Sequence, residues 1–294
     1  MHTWIALTAL SLAWAQPEAA TKEADFTTNG VKIHYAESGS GQPVILIHGW
    51  QGDLTTWGVD ERGRSKLSAP KGFRIIAIDC RGHGRSQKLY EPSQYGKAMA
   101  SDVFALMDHL KLKRAQIVGY SMGAFIVGKM IELNPERIVS AIMGGQAPIL
   151  GPAKGKPAGE VLAFAEAVKA GKGMGSYLLS VLPSNKPKPT REQADVIAAA
   201  MFRGKDLRAL AAAGLSFPDL AVEPEKLKRA KLPVLFVYGS KESDSTKRAV
   251  EASRQLLTGS KVVEIEGADH VSTLSNPKFG SALMEFLEKT RIRP

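Results

Sequence analysis

Six short apolar runs, each closing on a turn residue, constrain this chain most. Val44–Ile47 ends in His48-Gly49, Ile75–Ile78 in Asp79, and Ile117-Val118 in Gly119. Further on, Ile138–Met143 ends in Gly144-Gly145, Val234–Tyr238 in Gly239, and Val262–Ile265 in Glu266-Gly267. The runs are continuous rather than alternating, which predicts strands buried on both faces, as in a parallel sheet. Between them, Ala98–Leu110, Ser121–Leu133, Thr246–Leu257 and Pro277–Leu287 carry apolar residues at helical spacing. Strands alternating with helices imply an α/β fold with a doubly wound, mostly parallel sheet. Ligands of such sheets bind at the carboxyl ends of the strands. Ahead of the first run, Asn29-Gly30 between two β-prone segments reads as a hairpin turn.

The alternation breaks between residues 148 and 230. Apolar residues there follow helical spacing, interrupted by GPAKGKPAG and PSNKPKPT. The stretch reads as a helical cap inserted between the fourth and fifth buried strands, over the strand ends. Residues 24–147 and 231–290 then form the core. The cap holds thirteen Lys and Arg against eight Asp and Glu, a surplus that a solvated helical surface accounts for. Gly171, Gly173 and Gly175 follow no strand, so they do not form a nucleotide-binding loop.

Residues 1–17 contain no Lys, Arg, Asp or Glu, and Thr3–Ala15 is a short apolar segment ending in Ala13-Trp14-Ala15. It is shorter than the roughly 20 residues a membrane span needs. Residues 1–15 therefore read as a secretory signal peptide, predicting an exported, periplasmic or extracellular protein with no stable membrane insertion after cleavage. The only cysteine, Cys80, excludes an intrachain disulfide and a cysteine-rich metal site. The formal charge of +10 permits contact with polyanions, but no nucleic-acid-binding motif accompanies it.

Gly119-Tyr120-Ser121-Met122-Gly123 is a G-x-S-x-G sequence between a buried strand and an amphipathic helix. So sharp a turn leaves room for little beside the serine, and it lifts the Ser121 hydroxyl above the sheet. A serine hydroxyl needs a base to take its proton. His270, in the loop just after the last strand, is the histidine that can swing over it. The base needs a carboxylate on its other nitrogen. The loop after the fifth run offers Glu242, favoured by its distance from the strand, and Asp244 as the alternative. Backbone N–H groups of Met122 and Trp50 are placed to stabilise an oxyanion.

With HGW at 48–50, DCRGHGRS at 79–86, GYSMG at 119–123, GSKE at 239–242 and GADH at 267–270, the chain resembles the α/β-hydrolase superfamily from about residue 25 to 290. The resemblance implies a serine hydrolase. Ser121 attacks a carbonyl of a small acyl substrate, His270 shuttles the proton, and water cleaves the acyl-enzyme, with no metal or organic cofactor. It makes Asp79 and His83 structural. Relatives that open epoxides or dehalogenate use Asp as nucleophile, which Ser121 argues against. HGW also occurs in cofactor-free perhydrolases of the family, which leaves peracid, lactone, amide and C–C chemistry open beside a carboxylic ester. A non-catalytic binding protein on the same fold is a further alternative.

Overall fold

The computed structural model describes residues 20–152, 155–182 and 188–292. The expected signal peptide, residues 1–15, lies outside the described residues, as does most of the PSNKPKPT stretch. The chain opens with β1 (Lys22–Thr28), β2 (Val31–Gly39), β3 (Gln42–Ile47) and β4 (Phe73–Ile78). It continues with α1 (Lys97–His109), β5 (Ala115–Tyr120), α2 (Met122–Leu133) and β6 (Ile138–Gly144). Helices α3 (Gly159–Ala170), α4 (Gly175–Val181), α5 (Arg191–Met201), α6 (Leu207–Leu215) and α7 (Pro224–Arg229) follow. The fold closes with β7 (Val234–Gly239), α8 (Asp244–Leu256), β8 (Lys261–Ile265), α9 (His270–Ser275) and α10 (Pro277–Lys289).

One eight-stranded sheet runs in the order β1-β2-β4-β3-β5-β6-β7-β8. β1 pairs antiparallel with β2, and β2 with β4. From β4 to β8 every pairing is parallel. The β1–β2 turn holds Asn29 and Gly30 at φ 48° and 74°, both positive, as a two-residue type I′ hairpin requires. Strand order reverses between β3 and β5, the point at which open α/β sheets bind ligands. There Ile47 stands beside Gly119, so the chain leaving β3 emerges next to the chain leaving β5.

Apolar side chains fill both faces of the sheet. One face packs α1, α2 and α8 through residues such as Met99, Ile126 and Val250. The other packs α10 through Phe279, Leu283 and Phe286. β3, β5 and β6 are buried along nearly their whole length, as their continuous apolar runs predict. β8 departs from that expectation. Only Ile265 of Lys261–Ile265 is buried, because β8 is the edge strand and has a neighbour on one side only. A β-branched run does not reveal whether its sheet continues beyond it.

The chain between β6 and β7 is helical, with one isolated bridge, Leu150 to Val222, among the described residues. It has its own apolar cluster around Phe164, Tyr177, Phe202 and Leu210, against which Trp50 also packs. Among the described residues, no helix is long and apolar enough to cross a membrane.

Candidate active site

Ser121 sits at the turn from β5 into α2 with φ 55° and ψ −115°. That left-handed conformation is strained for a residue with a side chain, by about 1–3 kcal/mol. Surrounding bonds hold it. The Ser121 N–H donates to the Gly144 carbonyl at 2.8 Å, and the Ala124 N–H donates to the Ser121 carbonyl at 2.8 Å. The flanking glycines are steric necessities. A Cβ on Gly119 would lie 2.2 Å from the Gly123 carbonyl oxygen, and one on Gly123 would lie 2.2 Å from that of Ile47. These are backbone atoms of the same turn and of β3, so no side-chain rotation relieves either clash.

His270 Nε2 lies 3.0 Å from Ser121 Oγ, and His270 Nδ1 lies 2.7 Å from Glu242 Oε1. The sequence places His270 in a loop. In the structure it is instead the first residue of α9, whose N-terminus is capped by the Asp269 carboxylate accepting from the Val271 and Ser272 N–H groups. Asp269 breaks the extended chain after β8 and starts a helix one residue later, a capping pattern that sequence reading passed over. The Tyr120 hydroxyl donates to the His270 carbonyl at 2.5 Å. The side chain beside the serine thus anchors the backbone of the histidine.

Glu242 is buried in a tight turn after β7, where its N–H donates to the Gly239 carbonyl at 2.9 Å. The Lys241 N–H donates to the Ala268 carbonyl at 2.8 Å. A Cβ on Gly239 would fall 2.2 Å from that same carbonyl oxygen, so glycine permits the close approach of the two loops. Asp244 is not brought to the histidine; it is the exposed first residue of α8, just after its cap, Ser243. Burial works to lower the His270 pKa, but the hydrogen bond and charge of Glu242 overcome it, and the net shift is upward.

The third wall is the loop after β3. A Cβ built on Gly49 would come 3.2 Å from Ser121 Cβ, so this backbone runs against the serine. The fully buried His48 ring fixes its orientation. The Cys80 N–H donates to His48 Nε2 at 3.1 Å, which leaves the proton on Nδ1 to donate to the Gly49 carbonyl at 2.8 Å. Burial also holds His48 below the ordinary imidazole pKa, in keeping with one neutral tautomer. A trans peptide points its C=O and N–H in opposite directions. The bond to the Gly49 carbonyl therefore also aims the N–H of Trp50. Neither the Trp50 nor the Met122 N–H meets a backbone acceptor among the described residues.

The Trp50 side chain reaches into the helical insertion. Its Nε1 donates to the Leu210 carbonyl at 2.9 Å, and its ring packs edge-on against Phe164 and Phe217. Gln51, at φ 67°, binds the Tyr177 hydroxyl at 3.0 Å and accepts from Lys205 at its carbonyl. None of these insertion contacts was foreseen from sequence.

Among the described residues, neither Asp79 nor His83 is hydrogen-bonded to Ser121 or His270. The Asp79 carboxylate accepts from the Leu54 and Arg85 N–H groups, each at 2.7 Å, and stitches the loop after β4 to the one after β3. His83 is buried, and burial pushes its pKa down to about 3. Among the described residues, no group of three or more His, Cys, Asp and Glu side chains is arranged to hold a metal.

Comparison with known proteins agrees with this architecture. The family model described as alpha/beta hydrolase fold matches residues 42–277. An epoxide hydrolase of Caballeronia sordidicola is 34% identical over 130 residues, which is 44% of this chain and 38% of that protein. The match thus spans well under half of that relative. The non-heme chloroperoxidase CPO-A1 of Kitasatospora aureofaciens is 27% identical over 286 residues, covering 90% of this chain and 98% of the relative. Among solved structures, the enol-lactonase from Burkholderia xenovorans LB400 superposes with a TM-score of 0.68 at 25% identity, covering 90% of this chain and all of that one. With an eight-stranded sheet of this order and a family match across most of its length, the chain belongs to the alpha/beta hydrolase family.

Proposed function

We propose that this hydrolase cleaves carboxylic esters through an acyl-enzyme on Ser121. The observation that carries the reading is the continuous hydrogen-bonded line from Ser121 Oγ through His270 to the buried Glu242. His270 Nε2 takes the serine proton as the hydroxyl adds to the carbonyl. Glu242 keeps the other ring proton on Nδ1 and stabilises the imidazolium. The N–H groups of Met122 and Trp50 receive the oxyanion, in a setting where preorganised donors act more strongly than water. The imidazolium returns its proton to the leaving alcohol, and water repeats the sequence to release the acid. The helices between β6 and β7 serve as a cap over the acyl chain. Residues 1–15 serve as an export signal.

The nucleophile's chemistry supports acyl transfer over epoxide opening. A serine that opens an epoxide becomes an ether, with no carbonyl for water to attack, so turnover would stop. A second reading is favoured by similarity to the non-heme chloroperoxidase over nearly its full length. Hydrogen peroxide replaces water on the same acyl-enzyme, releasing a peracid and free Ser121.

A fluorophosphonate probe tests the shared step. We expect stoichiometric labelling, with the adduct on the peptide that contains Ser121, and steady turnover of p-nitrophenyl acetate. A folded protein that neither labels nor turns over ester would sink the reading. The pH profile has a defined sign. His270 must be neutral to act as base, and its pKa is raised. kcat/KM should therefore fall with acidification along a limb centred above the ordinary value near 6.5. A limb below that value would contradict the Glu242 pairing.

A further inference from the structure

The chain leaving β3 enters a tight turn, in which the Gly52 N–H donates to the Gly49 carbonyl at 3.1 Å. Gln51 occupies the third position of this turn at φ 67°, while Trp50 before it is not left-handed. That combination is a type II turn, which favours glycine or asparagine at the third position. Glutamine has no such preference, and a long side chain in a left-handed conformation persists only where its surroundings hold it.

The helical insertion supplies the hold. The Gln51 side-chain amide donates to the Tyr177 hydroxyl at 3.0 Å, and Lys205 Nζ donates to the Gln51 carbonyl. Tyr177 is buried and Lys205 exposed, so water competes more for the lysine's bond than for the tyrosine's. One residue earlier, the Trp50 indole N–H donates to the Leu210 carbonyl at 2.9 Å. The indole has no spare room on the α6 side, where a Cβ on Gly214 would lie 2.8 Å from Trp50 Cζ2. The Gly49 carbonyl is therefore gripped twice. His48 Nδ1 donates to it from one side, and the turn closes on it through the Gly52 N–H. The peptide so gripped is the one that carries the Trp50 N–H.

We propose that Tyr177 is a positioning residue for the oxyanion site, acting through Gln51 to hold the turn that aims the Trp50 N–H. The inference rests on the acyl-transfer reading above, in which that N–H receives the oxyanion. The insertion then does more than cover a substrate; it completes the donor pair. Released from Tyr177, Gln51 relaxes toward negative φ, the peptide joining it to Trp50 rotates, and the second grip on the Gly49 carbonyl loosens. The Trp50 N–H loses its aim, while the Met122 N–H on α2 keeps its own. The oxyanion exists only beyond the ground state, so the loss falls on kcat rather than KM.

Tyr177→Phe tests this, because it removes the hydroxyl and keeps the ring. On p-nitrophenyl acetate, kcat should fall about tenfold with KM within about twofold. The acid limb of the pH profile should stay in place, since the His270–Glu242 pair is untouched. A trifluoromethyl ketone, whose adduct with Ser121 carries the oxyanion, should lose affinity in step with kcat/KM. Adding Gln51→Gly should recover most of the loss, because glycine holds a positive φ unaided; a general packing defect would only deepen. Hydrogen exchange reads the clamp without turnover. The segment 48–54 should exchange several times faster in Tyr177→Phe, with the segments around Ser121 and His270 unchanged. Unchanged exchange in 48–54, unchanged kcat, or a double variant as slow as Tyr177→Phe alone overturns the proposal. A wild-type protein that neither turns over ester nor takes the fluorophosphonate label overturns the acyl-transfer reading instead, and the exchange comparison still decides the clamp.

Discussion

Replacing Ser121 with alanine is expected to lower kcat/KM on short-chain p-nitrophenyl esters by roughly four to six orders of magnitude. In the proposed mechanism the Ser121 oxygen forms the covalent intermediate, and among the described residues no other hydroxyl or thiol is hydrogen-bonded to His270. What activity remains would come from the oxyanion donors and substrate binding, which survive loss of the nucleophile. KM should change little, since Oγ contributes chiefly as the bond forms. The fold should persist, because the strained turn is held by the backbone bonds of residue 121 and by its flanking glycines. Unchanged ester turnover in a folded Ser121→Ala protein would end the proposal.

The second large effect separates two carboxylates two residues apart. Glu242→Gln should cost about three to four orders of magnitude in kcat, whereas Asp244→Asn should leave turnover within about twofold. Glutamine keeps the shape of Glu242 but can present an amide N–H to the imidazole, favouring the wrong tautomer and withdrawing the charge that stabilises the imidazolium. Asp244 is exposed at the start of α8, where solvent screens its charge. The same substitution also moves the acid limb of the profile. Glu242 raises the His270 pKa while burial lowers it. Without that carboxylate burial is opposed only by the smaller pulls of Glu160 and Asp269, and the limb should shift to lower pH in the residual activity. The reverse ranking of the two variants would transfer the role to Asp244.

Much of this arrangement is legible in the chain because it is local. The continuous runs give β3 to β7 at about their observed places, and the spacing of Gly119 and Gly123 around Ser121 reports a turn with no spare volume. Glu242 and His270 are legible as residues just beyond successive strands. The rest depends on neighbours that the chain meets only after folding. β8 reads like an inner strand because an edge is a property of the sheet, not of the segment. The roles of Tyr120 and His48 rest on single hydrogen bonds to the carbonyls of His270 and Gly49. Both residues stand inside or against the motifs, so their position could have drawn notice, but nothing in composition discloses the partner. The grip of Tyr177, Lys205 and Leu210 on the loop after β3 joins segments more than 120 residues apart, beyond any periodicity argument.

Gly123 rests directly on the carbonyl of Ile47, and the two N–H groups assigned to the oxyanion, those of Met122 and Trp50, lie a few residues to either side of that touching point. The gap between the donors is thus set by a mechanical stop, backbone against backbone. Such a stop carries no proton to lose and no charge for salt to screen. The width of the cradle should hold constant across acidity and ionic strength, leaving the charged and proton-carrying side chains as the part of the machine that ambient conditions can tune.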